Sequence, residues 1–302
     1  MEGNIAGTRA RASQRIGVRV SARRRRLAVM LVTYLLLAAV ALIAIVPFFW
    51  MVSTALKTAA EASTYPPSLF PAVPQWHDFT DVFSAVPFLT FFRNTVLYSA
   101  AVTLGQLLFC STAAFAFARL RFPGRNVLFI LYLATLMIPL SVTLVPSFIL
   151  MKWFGWIDTV WVMTIPGMLG SAFGTFLLRQ FMLSIPRDLD EAATIDGASL
   201  FRIYWQIILP LTRSALIVLA VLTTITVWND FFWPLVMLNS QNVMTLTLGL
   251  SVFATGGTEE YVNVPLAMAA ATITIAPLVL IFFVAQRYFI QGIALNSGFG
   301  GR

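Results

Sequence analysis

The chain has 302 residues, of which 59% are hydrophobic and 11% charged, and its 20 Lys and Arg against 12 Asp and Glu leave a formal net charge of +8. A soluble domain carries about 25% charged residues, and so few charges cannot cover the surface of a chain this apolar, so a water-soluble globule is excluded and lipid must supply the missing solvent. Intrinsic disorder needs low hydrophobicity and is excluded too. A single cysteine, Cys110, rules out an intramolecular disulfide or a thiolate metal cage.

A bilayer core about 30 Å thick is crossed by roughly 20 apolar residues in a helix. Charge-poor runs of that length occur six times, at about 27–51, 91–118, 127–151, 159–178, 214–238 with a helical lead-in from Phe201, and 264–285. They are continuous rather than alternating, which predicts helices and not barrel strands. The expected fold is all-α: a basic N-terminal segment (1–26), a six-span membrane domain (27–289) and a C-terminal tail (290–302) too glycine-rich to span. The first run exceeds the core length of a signal peptide and lacks a small-x-small site after Trp50, so it reads as a retained span.

With the N-terminus in the cytoplasm, every Lys and Arg except Lys57, Arg93 and Lys152 falls on the inner side, as the positive-inside rule requires. Only an even number of crossings brings Arg287 to that side. The chain is therefore expected in the inner membrane of a prokaryote with both termini cytoplasmic. Its basic terminus faces membrane lipid, and no nucleic-acid partner is expected.

After the first span, 52–90 is rich in proline (Pro66, Pro67, Pro71, Pro74, Pro87) and cannot form one long helix. It is expected to be an outer-face cap ordered by its aromatics. The other long outer connection is 239–263, and long loops are more often functional.

The spans hold Arg93 and Asp230 near their outer ends and no charge at mid-depth, which disfavours proton-driven transport. The only histidine, His77, lies in the outer loop, so no His-based triad or HExxH pair can be assembled. The chain is not expected to be an enzyme. Neither Lys57 nor Lys152 follows a phosphate-binding glycine loop, so any nucleotide hydrolysis belongs to another chain. Within the spans, Pro139 and Pro146 interrupt the third. Gln106, Thr112 and Asn229, with Ser111 and Thr274, are polar; the first three are candidate pathway residues, and interhelical hydrogen bonding explains them equally well.

The most informative stretch is 186–210, an inner-face loop. Pro186 suits a helix's opening turn, and Asp188, Asp190 and Glu191 suit its positive end. Ala192 and Ala193 leave one face low, Gly197 breaks the path, and Phe201, Tyr204 and Trp205 follow as an aromatic cluster of the kind found in interface cores. A helix lying on headgroups would carry Lys and Arg here instead. Docking to a protein is the better account.

Glu191-Ala192-Ala193, three residues, Gly197, nine residues, Ile207, one residue and Leu209-Pro210 resemble the EAA signature of membrane subunits of binding-protein-dependent, ATP-driven importers. With Ile195-Asp196-Gly197-Ala198-Ser199, Trp228-Asn229, Pro234-Leu235 and Gln286-Arg287-Tyr288-Phe289, the chain is similar to carbohydrate-importer permeases of the maltose-type, six-span smaller subunit. The resemblance implies that Asp190, Glu191, Ala192, Ala193, Asp196, Gly197, Ile207, Leu209 and Pro210 form the ATPase-coupling site. In it, Glu191 makes the ionic contact, the alanines form the close-packing face and Gly197 turns between two short helices. It implies a second, non-identical permease, two copies of an ATPase that carries the ATP and magnesium, and an extracytoplasmic solute-binding protein met by Glu259, Glu260 and Tyr261. It also places the tail along the ATPase dimer. This chain itself is expected to bind no cofactor and no metal. The family's second proline after Leu209-Pro210 is replaced here by Arg213 and Ser214, which implies a gentler bend into span five. The competing reading is a stand-alone facilitator or secondary carrier of small solutes.

Overall fold

The computed structural model describes the backbone of residues 3–254 and 263–298, and the side chains of 26–253 and 263–286. Among these residues every regular element is helical. The elements are α1 (Gly3–Ala55), α2 (Ala59–Ala62), α3 (Asp78–Ala85), α4 (Phe88–Arg119), α5 (Arg125–Ala134), α6 (Leu140–Trp153), α7 (Val160–Met168), α8 (Ala172–Ser184), α9 (Asp188–Ile195), α10 (Leu200–Arg202), α11 (Leu209–Leu211), α12 (Arg213–Trp228), α13 (Phe232–Met237), α14 (Leu246–Ala254) and α15 (Val264–Gly298). The final helix thus continues well past residue 290, into the stretch expected to be flexible. Arg302 lies outside the described residues.

Four stretches are single helices or helix pairs long and apolar enough to cross: Arg26–Ala55, Phe88–Arg119, Val160–Ser184 and Val264–Gln286. Two more qualify only as bent pairs, Arg125–Met137 with Leu140–Trp153 at 98° and Leu200–Leu211 with Arg213–Trp228 at 75°. The 32-residue α4, about 48 Å at 1.5 Å per residue, serves as a ruler. Arg125 donates to Leu120 O at the C-terminal end of α4, and Met151 clusters with Tyr98 towards its N-terminal end, so the bent α5–α6 pair crosses rather than returning. Likewise Tyr204 meets Ser111 near the first end, and Trp228 meets Phe92 at the second. With α1 ending at Ala55 beside Phe88 and Phe91, and α7–α8 running from Val162 beside Tyr98 to Met182 beside Ala118, the described residues make six crossings, each bent pair counted as one.

Both bends have local causes, and the one in span three falls at a proline that the sequence marks as an interruption. Pro139, in an extended conformation at the start of α6, cannot continue the preceding turn; Pro146 sits inside α6 without breaking it. The turn into span five is sharp, not gentle. There a π-helical stretch, Ile203–Ile208, precedes Thr212, whose hydroxyl donates to Ile208 O and Leu209 O, a back-bonding that bends helices. Span five also ends earlier than expected, at Trp228, because Asp230 accepts from Trp233 N and starts a separate turn.

Helix α4 lies at the centre, packed on α7, α8, α12 and α14, while α1 packs on α15. One apolar cluster gathers Ala114, Phe115, Ala118, Leu178, Met182 and Ile208 at the Arg119 end; two others lie towards the Phe88 end. Gly105 lets α7 approach the centre of α4, since a Cβ there would lie 2.3 Å from Met168 Cβ. No part of the most apolar stretch of α1 is buried, as suits a helix whose solvent is lipid.

Two connections differ from the loops the sequence implied. The 239–263 connection contains the apolar helix α14, with Leu246 fully buried, and it is tied to α4 by Asn94 Nδ2 to Asn242 O (2.8 Å), Tyr98 OH to Val243 O (2.9 Å) and Leu246 N to Thr95 Oγ1 (2.7 Å). The 52–90 cap is ordered by its aromatics only in part: Phe79 and Phe88 pack into the core, whereas Tyr65, Phe70 and Trp76 are exposed. Prolines leave this backbone few donors, so polar groups hold it instead, with Lys57 Nζ donating to Ser68 O and Ser53 Oγ to Leu69 O.

Candidate functional site

At the Arg119 end of the bundle, 186–210 folds into a helix-turn-helix knuckle. Helix α9 opens with three acids, which favour the positive end of the helix dipole. It stops at Asp196, and Gly197 takes φ +78°, a left-handed conformation that costs any residue with a Cβ about 1–2 kcal/mol. The turn is thus Gly-dependent, as expected. Ser199 Oγ then accepts from Arg202 N and caps the second helix.

The structure divides the predicted residues into two sets. Asp190 and Ala193 face inward. Ala193 joins the core with Phe115, Ala118 and Tyr204, so it fixes the knuckle to its own chain rather than offering a face to a partner. Asp190 Oδ2 lies 3.4 Å from Arg119 Nη1, and the two side chains are 19% and 4% exposed. Arg119 Nη2 also donates to Ile185 O at 3.0 Å. Burial pushes the Asp190 carboxyl above the usual aspartate range, and the neighbouring Arg119 and Arg187 guanidinium groups oppose that rise. Ile207 and Leu209 pack against the same core, while Pro210 opens α11 on the surface.

Glu191, Ala192, Asp196 and Gly197 face outward. Beside them stand exposed apolar side chains, Ile195 at 86% and Phe201 at 72%, with Leu200 and Trp205. Phe201 and Trp205 stack at 6.3 Å with 9° between ring planes. Between knuckle and bundle lies a cavity of about 470 Å³, lined by Phe115, Arg119, Glu191, Thr194, Ile195 and Leu200. An exposed carboxylate, an apolar rim and an adjoining hollow fit a protein partner, because so much exposed aromatic surface in one patch marks an interaction site.

Sequence reading missed how the knuckle is anchored. Arg125, Arg179 and Arg187 donate to Leu120 O, Phe117 O and Ala118 O, capping the open carbonyls at the end of α4. These residues, taken as a topology signal, are also structural caps. Basic residues clustered just past an apolar run were the available clue.

The candidate pathway residues do not converge. Gln106 donates to Gly167 O (3.1 Å) and accepts from Ser171 Oγ (3.0 Å), joining α4 to the α7–α8 junction. Thr112 and Asn229 are exposed and bond carbonyls of their own helices. Glu259, Glu260 and Tyr261 lie outside the described residues.

Residues 106–295 match the family described as binding-protein-dependent transport system inner membrane component. The chain is 36% identical over 208 residues to the arabinooligosaccharides transport system permease protein AraQ of Halalkalibacterium halodurans, covering 69% of this chain and 73% of that one. It is 33% identical over 235 residues to the sn-glycerol-3-phosphate transport system permease protein UgpE of Yersinia pestis, covering 76% and 83%. Its fold matches, with a TM-score of 0.76 and 26% identity over 86% of this chain and 95% of the other, a bacterial ABC transporter involved in the import of the acidic polysaccharide alginate. This polytopic α-helical chain, with its EAA-type knuckle at one end of six crossings, belongs to the family of binding-protein-dependent transport system inner membrane components.

Proposed function

We propose that the chain is the permease subunit of an ATP-driven sugar importer, forming half of the translocation pathway together with a second, non-identical permease. The observation that carries the coupling role is the outward set on the knuckle: Glu191 beside Ile195, Leu200, Phe201 and Trp205, on a loop braced from behind by the Arg119–Asp190 pair. A surface so braced transmits force in both directions. A docked ATPase subunit that moves the knuckle moves α4 with it, through Arg119. Two ATPase copies would bind ATP and magnesium, and this chain would bind neither. The knuckle and both termini then face the cytoplasm, and an extracytoplasmic binding protein delivers solute at the other end, where 259–261 would meet it. The substrate class rests on the relatives that import arabinooligosaccharides and alginate; the glycerol-3-phosphate relative supplies the second reading.

The test is reconstitution into liposomes with the partner permease, the ATPase and a binding protein, following labelled oligosaccharide. Uptake that needs ATP and is abolished by Glu191→Lys with normal membrane insertion supports the proposal. Uptake by this chain alone would establish the facilitator reading instead.

A further inference from the structure

The cap after span one holds a surface that the coupling reading leaves unused. Residues 65–75 contain four prolines and no charged side chain. The segment does not project away from the bundle. It runs back along the end of α1: Lys57 Nζ donates to Ser68 O (2.5 Å), Ser53 Oγ to Leu69 O (2.5 Å), and the Phe70 ring meets Phe49 edge-on at 5.5 Å. The order Lys57, Ser53, Phe49 against 68, 69, 70 shows the segment descending the helix, towards the middle of the span, at the end opposite the knuckle.

Some of its polar groups are matched on the inner side. Glu61 Oε1 accepts from Ala72 N and Ser68 Oγ, Gln75 N donates to Leu56 O, and Gln75 Nε2 to Val73 O. The four prolines remove four further donors. Both features lower the cost of resting at the edge of the hydrocarbon, where unmet polar groups are costly. On the other side Leu69, Phe70 and Val73 are all at least 60% exposed, and they continue the exposed face of α1 formed by Phe48, Phe49 and Val52. Tyr65 and Trp76, exposed at the two ends of the segment, are the amphipathic aromatics that favour the headgroup level.

We propose that residues 65–76 form an interfacial lipid anchor, with Leu69 and Phe70 inserted among acyl chains and Tyr65 and Trp76 at the headgroups, on the side of the membrane opposite the coupling knuckle. The occupant is lipid because the surface is continuous with the bare apolar face of a membrane span and carries no charge that a water-exposed loop or a polar protein contact would use. The start of the neighbouring α3 shows the contrast: there His77 and Asp81 leave polar side chains exposed.

The test places an environment-sensitive NBD label on Phe70→Cys, Leu69→Cys and, as an aqueous control, Asp81→Cys, in the full chain reconstituted into phosphatidylcholine vesicles. The native Cys110 is buried and does not compete for label. Anchoring predicts several-fold stronger quenching at 69 and 70 than at 81 by shallow doxyl-labelled phosphatidylcholine, with the reverse order for aqueous iodide. Iodide quenching at 69 and 70 equal to that at 81 would overturn the proposal by placing the segment in water. Protection from both quenchers would overturn it by placing protein over the patch.

Discussion

The brace behind the knuckle invites a double-mutant cycle on Arg119 and Asp190. Arg119→Met keeps the bulk of the stem and removes the guanidinium, which is 4% exposed and serves both Asp190 Oδ2 and Ile185 O. Breaking a buried pair by deleting one member costs about 3–5 kcal/mol. Asp190 is one-fifth exposed and its carboxyl is already raised by burial, so it can take up a proton rather than remain an unpaired charge, which puts the expected cost near about 3 kcal/mol, the lower end of that range. In an Asp190→Asn background the same substitution removes no ion pair, and a coupling of about 1–3 kcal/mol is expected between the two sites. The readout is thermal unfolding of the four purified proteins in detergent. A second readout is pH. With its folded pKa raised, Asp190 contributes most favourably below the ordinary aspartate range and loses that contribution as pH rises through the raised value, so Arg119→Met is expected to be hurt less at pH 5 than at pH 8. Equal costs of Arg119→Met in both backgrounds, with no pH dependence, would refute the brace.

Other outcomes follow from single residues. A Cβ at position 197 meets no neighbour, so the left-handed φ alone sets the cost: Gly197→Ala is expected to lose about 1–2 kcal/mol and Gly197→Asn less, because asparagine's short polar side chain tolerates that conformation; thermal midpoints of the two variants would rank accordingly. Lys57→Met leaves Ser68 O without its donor and removes the ammonium 4.5 Å from the Trp50 ring, so a loss of about 1–3 kcal/mol is expected, together with faster proteolysis within 65–75. Burial alone would raise the Asp158 carboxyl, but hydrogen bonds from the Ser240 side chain and from Ser240 N and Asn239 N outweigh it and hold the group below its ordinary value. Its contribution is present above the unfolded aspartate pKa and disappears as pH falls through the folded one. An acid titration of stability should therefore show a shallower decline for Asp158→Asn than for the parent chain.

Much of this protein was legible in one dimension. Apolar run length, the near absence of mid-depth charges and the sidedness of arginines are local properties of the chain, and they determined a six-crossing α-helical membrane protein and the end at which 186–210 lies. The turn at Gly197 was legible for the same reason, since backbone conformation there depends on one residue. Packing decided the rest. Asp190 and Glu191 are adjacent acids in the same opening turn, and nothing local says which points inward; only the arrival of Arg119 from the end of α4 turns one into a brace and leaves the other exposed. Nor does proline content say that residues 65–75 fold back along α1, because that path is set by Lys57 and Ser53 reaching carbonyls beyond the next helix. Hydropathy and propensity belong to single positions, whereas these contacts join distant ones, and their free energy exists only once the helices are packed.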